Sequence, residues 1–268
     1  MEHIEFNINA YKKFAPEYLN RHPEIYNDIE QNRIAAKIYV AKESILTGNN
    51  QLRAMDYGCG AGNLTNHLCG LGFEVTSGDV SGEFLKIIKM NFSDNCKVHT
   101  FKLNGEDLRE LPDDSFDLIA TYSVLHHIPD YLRAVKDMAR VVKPGGILYI
   151  DHEASPEKWE NNHYYELFTN QTKEPFTPGL FLNLLKPSWY VRKYKKIKNP
   201  RWQAEGDIHV WPDDHIEWDK IEDLLKDNFD FILIEDYLHY SRNYPLDIYN
   251  EFKDKCSDMR VMISRKKN

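Results

Sequence analysis

The period of hydrophobic and polar positions along this chain changes near residue 50. Before that point apolar residues recur at helical spacing, as in IYNDIEQNRIAAKIYVAKESIL, so residues 8–47 are predicted to be helical. From residue 52 to 153 short apolar runs alternate with amphipathic stretches. Strands that alternate with helices indicate βαβ units and a parallel sheet.

The predicted strands in this part are LRAMD, FEVTSGD, KVHTF, FDLIATY and ILYIDHE, and the predicted helices lie near 62–70, 82–91 and 131–141. A helix in WDKIEDLLKDN and an antiparallel pair formed by FDFILIEDYLHYS and MRVMISRKK follow near the chain's end. The whole pattern predicts an α/β fold with a doubly wound, mainly parallel sheet of seven strands. Right-handed crossovers would bring the strand C-terminal ends, and any ligand, to one edge.

Residues 154–213 do not continue the alternation of predicted strands and helices, and they contain many aromatic residues and several prolines. We interpret this segment as an inserted lid that binds the substrate, after the fifth strand. The expected organisation is an N-terminal helical cap at 1–48, a cofactor-binding core at 49–153, the lid at 154–213 and the completion of the core at 214–268.

Composition narrows the class of protein. The formal net charge of −8 argues against nucleic acid as the default partner, because a phosphate backbone attracts a positive surface. The cysteines contain no CxxC pair, which favours reduced thiols over a disulfide framework or a zinc site. Without an apolar signal-peptide core or a segment of membrane-spanning length, we expect a cytoplasmic protein that does not engage a membrane.

The stretch RAMDYGCGAGNLTNHL, residues 53–68, is the most informative local pattern. An acid followed by GxGxG at a strand-to-helix turn lets backbone approach a ligand and directs helix amides at an anion. Where the dinucleotide-binding pattern requires a further glycine, this chain has Asn63. Taken alone, the turn is also compatible with a purely structural role.

Three further stretches support a ligand site. Asp79 ends the second predicted strand, where a carboxylate can accept bonds from both hydroxyls of a ribose. LNGEDLRELPDDSFDLI follows the third strand, and YSVLHHIPD follows the fourth.

In this order the motifs resemble the class I S-adenosylmethionine-dependent methyltransferases, especially those that modify small molecules. The resemblance covers residues 52–153. It implies S-adenosylmethionine as cofactor and S-adenosylhomocysteine as product, with transfer to oxygen or nitrogen of a small molecule. The residues that it assigns to the cofactor are Asp56, Gly58, Cys59, Gly60, Gly62, Asn63, Asp79, Val80, Asn104, Gly105, Glu106, Tyr122, Ser123 and Val124.

Histidine is the natural proton acceptor for such a transfer because its pKa lies near ~6.5. We select His127 first and His126 second, with His152 at the end of the fifth strand as a further candidate. LHHIPD is equally typical of a helix start, and a buried structural contact is the alternative for His152. No metal site is expected.

Two features extend the site. Tyr11 belongs to a predicted aromatic helix face that would fold over the cofactor, with core packing as the alternative. WYVRKYKKIKNPRW interleaves basic residues with rings, which favours a solvated lid face and is also compatible with RNA, an anionic small substrate or a membrane surface. The competing functions are an RNA-modifying methyltransferase and a cofactor-binding regulatory protein without turnover; the oligomeric state is not predicted.

Overall fold

The computed structural model describes residues 5–6, 22–48, 51–92, 96–173, 187–204 and 206–268. Its strands are β1 (Arg53–Tyr57), β2 (Glu74–Asp79), β3 (Val98–Lys102), β4 (Phe116–Tyr122), β5 (Val142–Ala154), β6 (Val210–Trp211), β7 (Asp214–His215), β8 (Phe229–Tyr237) and β9 (Met259–Lys266). Its longer helices are α1 (Asp28–Glu43), α2 (Asn63–Gly70), α3 (Gly82–Asn91), α4 (Tyr131–Val141), α5 (His163–Gln171), α6 (Pro187–Lys198), α7 (Trp218–Leu225) and α8 (Leu246–Phe252).

Within the described residues, seven strands form one sheet in the order β3-β2-β1-β4-β5-β9-β8. The pairs from β3 to β5 are parallel, and β9 runs antiparallel to both β5 and β8. The predicted doubly wound sheet and its antiparallel final pair are confirmed. Strand β9 lies inside the sheet, however, and β8 forms the edge.

Alternation along the central strands sends side chains to two cores, one on each face of the sheet. Met55, Ile119 and Leu148 are buried on the face covered by α4 and α7. Their neighbours, Ala54 and Leu118 among them, are buried on the face covered by α1 and α2. Because both faces are covered, the central strands read as continuous apolar runs in the sequence.

Helix α7 anchors the end of the sheet through a buried indole. Trp218 is 2% exposed, and its Nε1 donates a 2.8 Å hydrogen bond to the carbonyl oxygen of Ala154. His215, shortly before this helix, lies in the short strand β7, with its ring centroid 5.0 Å from that of Trp159.

The expectation that all cysteines are reduced thiols is wrong. Cys69 and Cys96 form a disulfide across 27 residues, with Cα atoms 5.6 Å apart. Cys69 lies near the end of α2 and Cys96 lies just before β3. Parallel crossovers bring both positions to the N-terminal ends of the strands, opposite the edge where the strands end. Cys59 and Cys256 are buried free thiols.

None of the helices in the described parts of the chain is both long enough and apolar enough to cross a membrane.

Candidate functional site

A solvent-open cavity lies at the C-terminal ends of β1, β2 and β4. This is the edge at which ligands bind in open α/β sheets. Its lining consists of Ile25, Tyr26, Asp56, Tyr57, Gly58, Cys59, Gly60, Ala61, Asn63, Leu64, Asp79, Val80, Phe84, Leu103, Gly105, Tyr122, Ser123, Val124, His127 and Ile128. We call it the first cavity.

The glycine loop between β1 and α2 forms one wall of the first cavity. The amides of Gly58 and Cys59 both donate to the carbonyl oxygen of Gly78, at 2.9 Å each. Gly58 has φ +77°, and a Cβ there would lie 2.4 Å from Cγ2 of Val124. Glycine is therefore required at this position both for the backbone conformation and for the close approach of β4's terminal loop.

Asp79 closes the loop from the neighbouring strand. Its Oδ2 accepts a 2.9 Å hydrogen bond from the amide of Gly60, and its Oδ1 accepts a 2.6 Å bond from the amide of Ser81. Burial outweighs these bonds and raises the pKa of Asp79 to about 6. The carboxyl group of Asp79 therefore binds its proton more tightly in the folded protein than in the unfolded chain. The free energy of unfolding consequently falls as pH rises from about 4 to 6, where the buried group becomes charged.

Asp56 has a structural role within the same wall. Its Oδ2 accepts hydrogen bonds from both the amide and the hydroxyl of Thr65, at 2.8 and 2.7 Å. Burial raises the pKa of Asp56 to about 7. These contacts fix the first turn of α2 against the end of β1.

A second solvent-open cavity adjoins the first. The two cavities share three lining residues, Ile25, Ser123 and His127. The rest of the second cavity's lining is His22, Glu24, His126, His152, Glu153, Ala154, Lys158, Asp207, His209, Val210 and Met259. The first cavity is thus mainly apolar, whereas the second is rich in imidazole and carboxylate groups.

The carboxylate of Glu153 fixes His126. Its Oε2 lies 2.8 Å from Nδ1 of His126, while its Oε1 accepts bonds from the amides of Val124 and Leu125 at 2.8 and 2.7 Å. Burial by itself would lower the pKa of His126, but the charge and hydrogen bond of Glu153 outweigh burial and raise it. His126 is therefore held in one orientation.

His127 contacts an acid that the sequence analysis missed. Oδ1 of Asp207 lies 3.3 Å from Nδ1 of His127. The amides of Ile208 and His209 donate to the carbonyl oxygen of His126 at 3.0 and 3.2 Å, which places Asp207 beside the pair. No local pattern indicates this contact, because Asp207 follows an aperiodic segment, 80 residues after His127.

His152 departs from the side-chain alternation of a regular strand. The ladder between β5 and β9 shifts register between Asp151 and Glu153, and His152 has φ +61°. Both His152 and Glu153 consequently line the second cavity. Nδ1 of His152 lies 3.1 Å from the hydroxyl of Tyr122, and burial lowers the pKa of His152 well below its usual range.

Comparison with known proteins identifies the domain that carries this site. A protein-family profile described as a methyltransferase domain matches residues 55–150, from β1 into β5. Residues 55–150 form a class I methyltransferase domain. The matched range contains the glycine loop, Asp79 and the histidine pair.

Curated relatives of this methyltransferase domain include the ubiquinone biosynthesis O-methyltransferase of Xanthomonas campestris pv. campestris (strain B100). The two sequences are 32% identical over 113 residues, which is 42% of this chain and 46% of that protein. The chain therefore spans about half the length of the curated relatives it matches.

Solved structures share the fold at low identity. A methyltransferase in complex with the Haloferax volcanii Trm112 methyltransferase activator matches with a TM-score of 0.57 at 13% identity, over 98% of each chain. An S-adenosylmethionine-dependent methyltransferase of Mesorhizobium loti matches with a TM-score of 0.52 at 18% identity, over 85% of this chain and 97% of that one. The mainly parallel sheet is thus the fold of methyltransferases of this class.

Most residues that we assigned to the cofactor lie in the wall of the methyltransferase domain's first cavity. Gly62, Asn104 and Glu106 are not among its lining residues. Gly62 caps α2. The side-chain amide of Asn104 is occupied by local hydrogen bonds, since its Nδ2 donates to Asp107 and its Oδ1 accepts from the backbone amide of Glu106. Tyr11 lies outside the described residues.

Proposed function

We propose that this protein transfers a methyl group from S-adenosylmethionine to a small-molecule acceptor, most readily to a hydroxyl oxygen. The observation that carries the proposal is the junction of the two cavities at Ser123 and His127. A donor in the first cavity and an acceptor in the second would meet at this junction, beside groups able to take a proton.

The residues of the first cavity fit the proposed donor. The glycines of the loop line this cavity with backbone rather than side chains, and Asp79 supplies carboxylate oxygens for a ribose. Nδ2 of Asn63 is buried and has no hydrogen-bond partner among the described residues, so it can donate to an anionic group. The apolar side chains of Val80, Leu103 and other lining residues suit a purine ring.

S-adenosylmethionine, when bound, supplies an already activated methyl group on a sulfonium. The protein's own contribution is then to orient the acceptor, exclude water and take a proton. His127 is our first candidate for the proton acceptor, since Asp207 can hold its Nδ1 and leave Nε2 to accept. His126 is the second candidate, and His152 would position the acceptor through its contact with Tyr122.

The segment 154–213 would act as the lid of the acceptor site. Asp207, His209 and other residues of this segment line the second cavity, which supports a role in substrate binding. The division of the chain into a cap at 1–48, a core at 49–153 and 214–268, and this lid is part of the proposal. An O-methyltransferase activity agrees with the name of its relative, the ubiquinone biosynthesis O-methyltransferase.

Methyl transfer can be tested directly with isotopically labelled S-adenosylmethionine and a panel of phenols, catechols, amines and carboxylic acids. We expect label in an organic-soluble product from a hydroxyl acceptor, together with S-adenosylhomocysteine. A chain that binds S-adenosylhomocysteine yet labels no acceptor would support a regulatory protein without turnover. A chain that labels only RNA would overturn the small-molecule proposal.

A second candidate, methylation of RNA, is favoured by helix α6. Its residues Tyr190, Tyr194 and Ile197 are exposed. They are interleaved with the basic residues Arg192, Lys193, Lys195, Lys196 and Lys198. RNA docking here predicts salt-sensitive binding that is lost when Lys193, Lys195 and Lys196 become glutamate. Equal RNA binding by the wild type and this triple variant would exclude that docking role.

A further inference from the structure

The imidazole groups of His126 and His127 converge with the carboxylate of Asp207 at the junction of the two cavities. One potential ligand atom from each residue lies within 4.8 Å of the other two. Oδ1 of Asp207 is 3.3 Å from Nδ1 of His127 and 4.0 Å from Nε2 of His126. We infer that these three side chains form a binding site for a divalent transition-metal ion.

The spacing of the three groups suits such an ion. Nitrogen and oxygen ligands lie about 2.0–2.2 Å from zinc, so two ligands at a tetrahedral angle are about 3.3 Å apart. The contact between Asp207 and His127 already has this length, at 3.3 Å. The contact to His126, at 4.0 Å, requires a shift of less than about 1 Å to reach it.

Glu153 supplies the outer partner that metal-binding histidines characteristically have. Its Oε2 lies 2.8 Å from Nδ1 of His126, so a proton on Nδ1 leaves Nε2 as a ligand. Two backbone amides, those of Val124 and Leu125, hold the same carboxylate in place. The resulting order of carboxylate, histidine and ion is the arrangement that fixes the ring orientation and increases ligand basicity.

The backbone also fixes the third ligand. The amides of Ile208 and His209 bind the carbonyl oxygen of His126, so the chain that carries Asp207 is tied to the turn that carries both histidines. Nε2 of His209 lies 3.0 Å from the carbonyl oxygen of Ile128, a second connection between the two segments. The three ligands are therefore held together by the fold before any ion binds.

Ligand chemistry determines the class of ion. Two imidazoles and one carboxylate favour Zn²⁺, Fe²⁺, Co²⁺ or Ni²⁺ over Mg²⁺ and Ca²⁺, which prefer oxygen ligands. Three protein ligands leave at least one coordination position for an oxygen of a molecule in the second cavity. The carboxylates of Glu24 and Glu153 line that cavity, where Lys158 is also present, and add negative charge around the ion.

This inference does not rest on the proposed function, because metal binding needs no methyl donor. It does limit the mechanism: an ion on Nδ1 of His127 leaves the proton on Nε2, and that nitrogen can then no longer act as a base. The metal-bound state and a proton-accepting His127 exclude each other.

Metal binding can be measured on the full chain without S-adenosylmethionine, by calorimetric titration with ZnCl₂ and by the visible absorption of added Co²⁺. We expect one ion per chain, a Zn²⁺ affinity far above that for Mg²⁺, and a Co²⁺ spectrum typical of nitrogen and oxygen ligands. Glu153→Gln should weaken Zn²⁺ binding about 10- to 100-fold, the usual effect of losing an outer partner. Asp207→Asn and His127→Ala should weaken it by more than about 100-fold, because each removes a ligand.

His22→Ala is the matched control, since it removes an imidazole that lines the same cavity outside the trio. It should leave Zn²⁺ affinity unchanged. Circular dichroism and thermal unfolding verify the fold of each variant independently, and Asp207→Asn preserves side-chain volume at a half-buried loop position. Millimolar Zn²⁺ affinity in the wild type, or wild-type affinity in both Asp207→Asn and His127→Ala, would overturn the inference.

Discussion

Replacing Asp79 by asparagine tests the proposed ribose contact with little change in volume. The carboxylate now accepts one backbone amide on each oxygen, from Gly60 at 2.9 Å and from Ser81 at 2.6 Å. An asparagine has one acceptor oxygen, so its NH₂ group would face one of these two donors. The variant therefore removes the charge and disturbs one of the two oxygens available to the ligand.

The size of the effect follows from these contacts. A hydrogen bond to a charged group contributes about 1.5–3 kcal/mol, so loss of one such bond weakens binding about 10- to 150-fold. The free energy of unfolding of Asp79→Asn should differ much less from that of the wild type, because two effects oppose each other. The variant loses a backbone contact, but it also removes a buried charge, whose pKa is raised to about 6.

Isothermal titration with S-adenosylhomocysteine measures the binding effect, and thermal unfolding measures stability. Glu83→Gln is the matched control, because it neutralises a carboxylate in nearby α3 that pairs with Lys86 and does not line the first cavity. We expect weaker binding only in Asp79→Asn, with melting temperatures similar to the wild type in both variants. Equal dissociation constants for Asp79→Asn and the wild type would refute the assignment.

Three further outcomes are expected. Gly58→Ala should lower the free energy of unfolding by about 1–3 kcal/mol in denaturant titrations and should weaken donor binding, because φ is +77° and Val124 lies 2.4 Å from the added carbon. Unchanged stability and binding would contradict the close packing of the loop. Affinity for S-adenosylhomocysteine should fall as pH decreases through about 6, because Asp79 then loses its charge. Asp79→Asn should remove this pH dependence of the affinity. If the variant keeps the same pH dependence, another group is responsible for it. His127→Ala should lower kcat about 10²- to 10⁴-fold for a hydroxyl acceptor and remove a limb of the pH–rate profile, whereas near-normal turnover would eliminate it as the base.

The fold and the position of the first cavity could be predicted because their signals are local. Apolar periodicity marked the central strands, and a glycine loop beside a strand-terminal acid marked the edge at which Gly60 and Asp79 meet. The parallel crossovers that bring those two residues together follow from the handedness of βαβ units.

The remaining features depend on contacts between distant segments. Asp207 reaches the histidine pair because the segment before β6 folds back onto His126, and no spacing rule anticipates that contact. The disulfide between Cys69 and Cys96 likewise joins the ends of two crossovers. At His152 a register shift overrides the period of two, which local patterning cannot show.

The most direct test of the account is a crystal structure of the full chain grown with S-adenosylhomocysteine. We predict density for the ligand in the first cavity, with the ribose hydroxyls on the carboxylate of Asp79 and the sulfur toward Ser123 and His127. A first cavity without such density at saturating ligand, or one that takes up a nicotinamide or flavin nucleotide instead, would contradict the account.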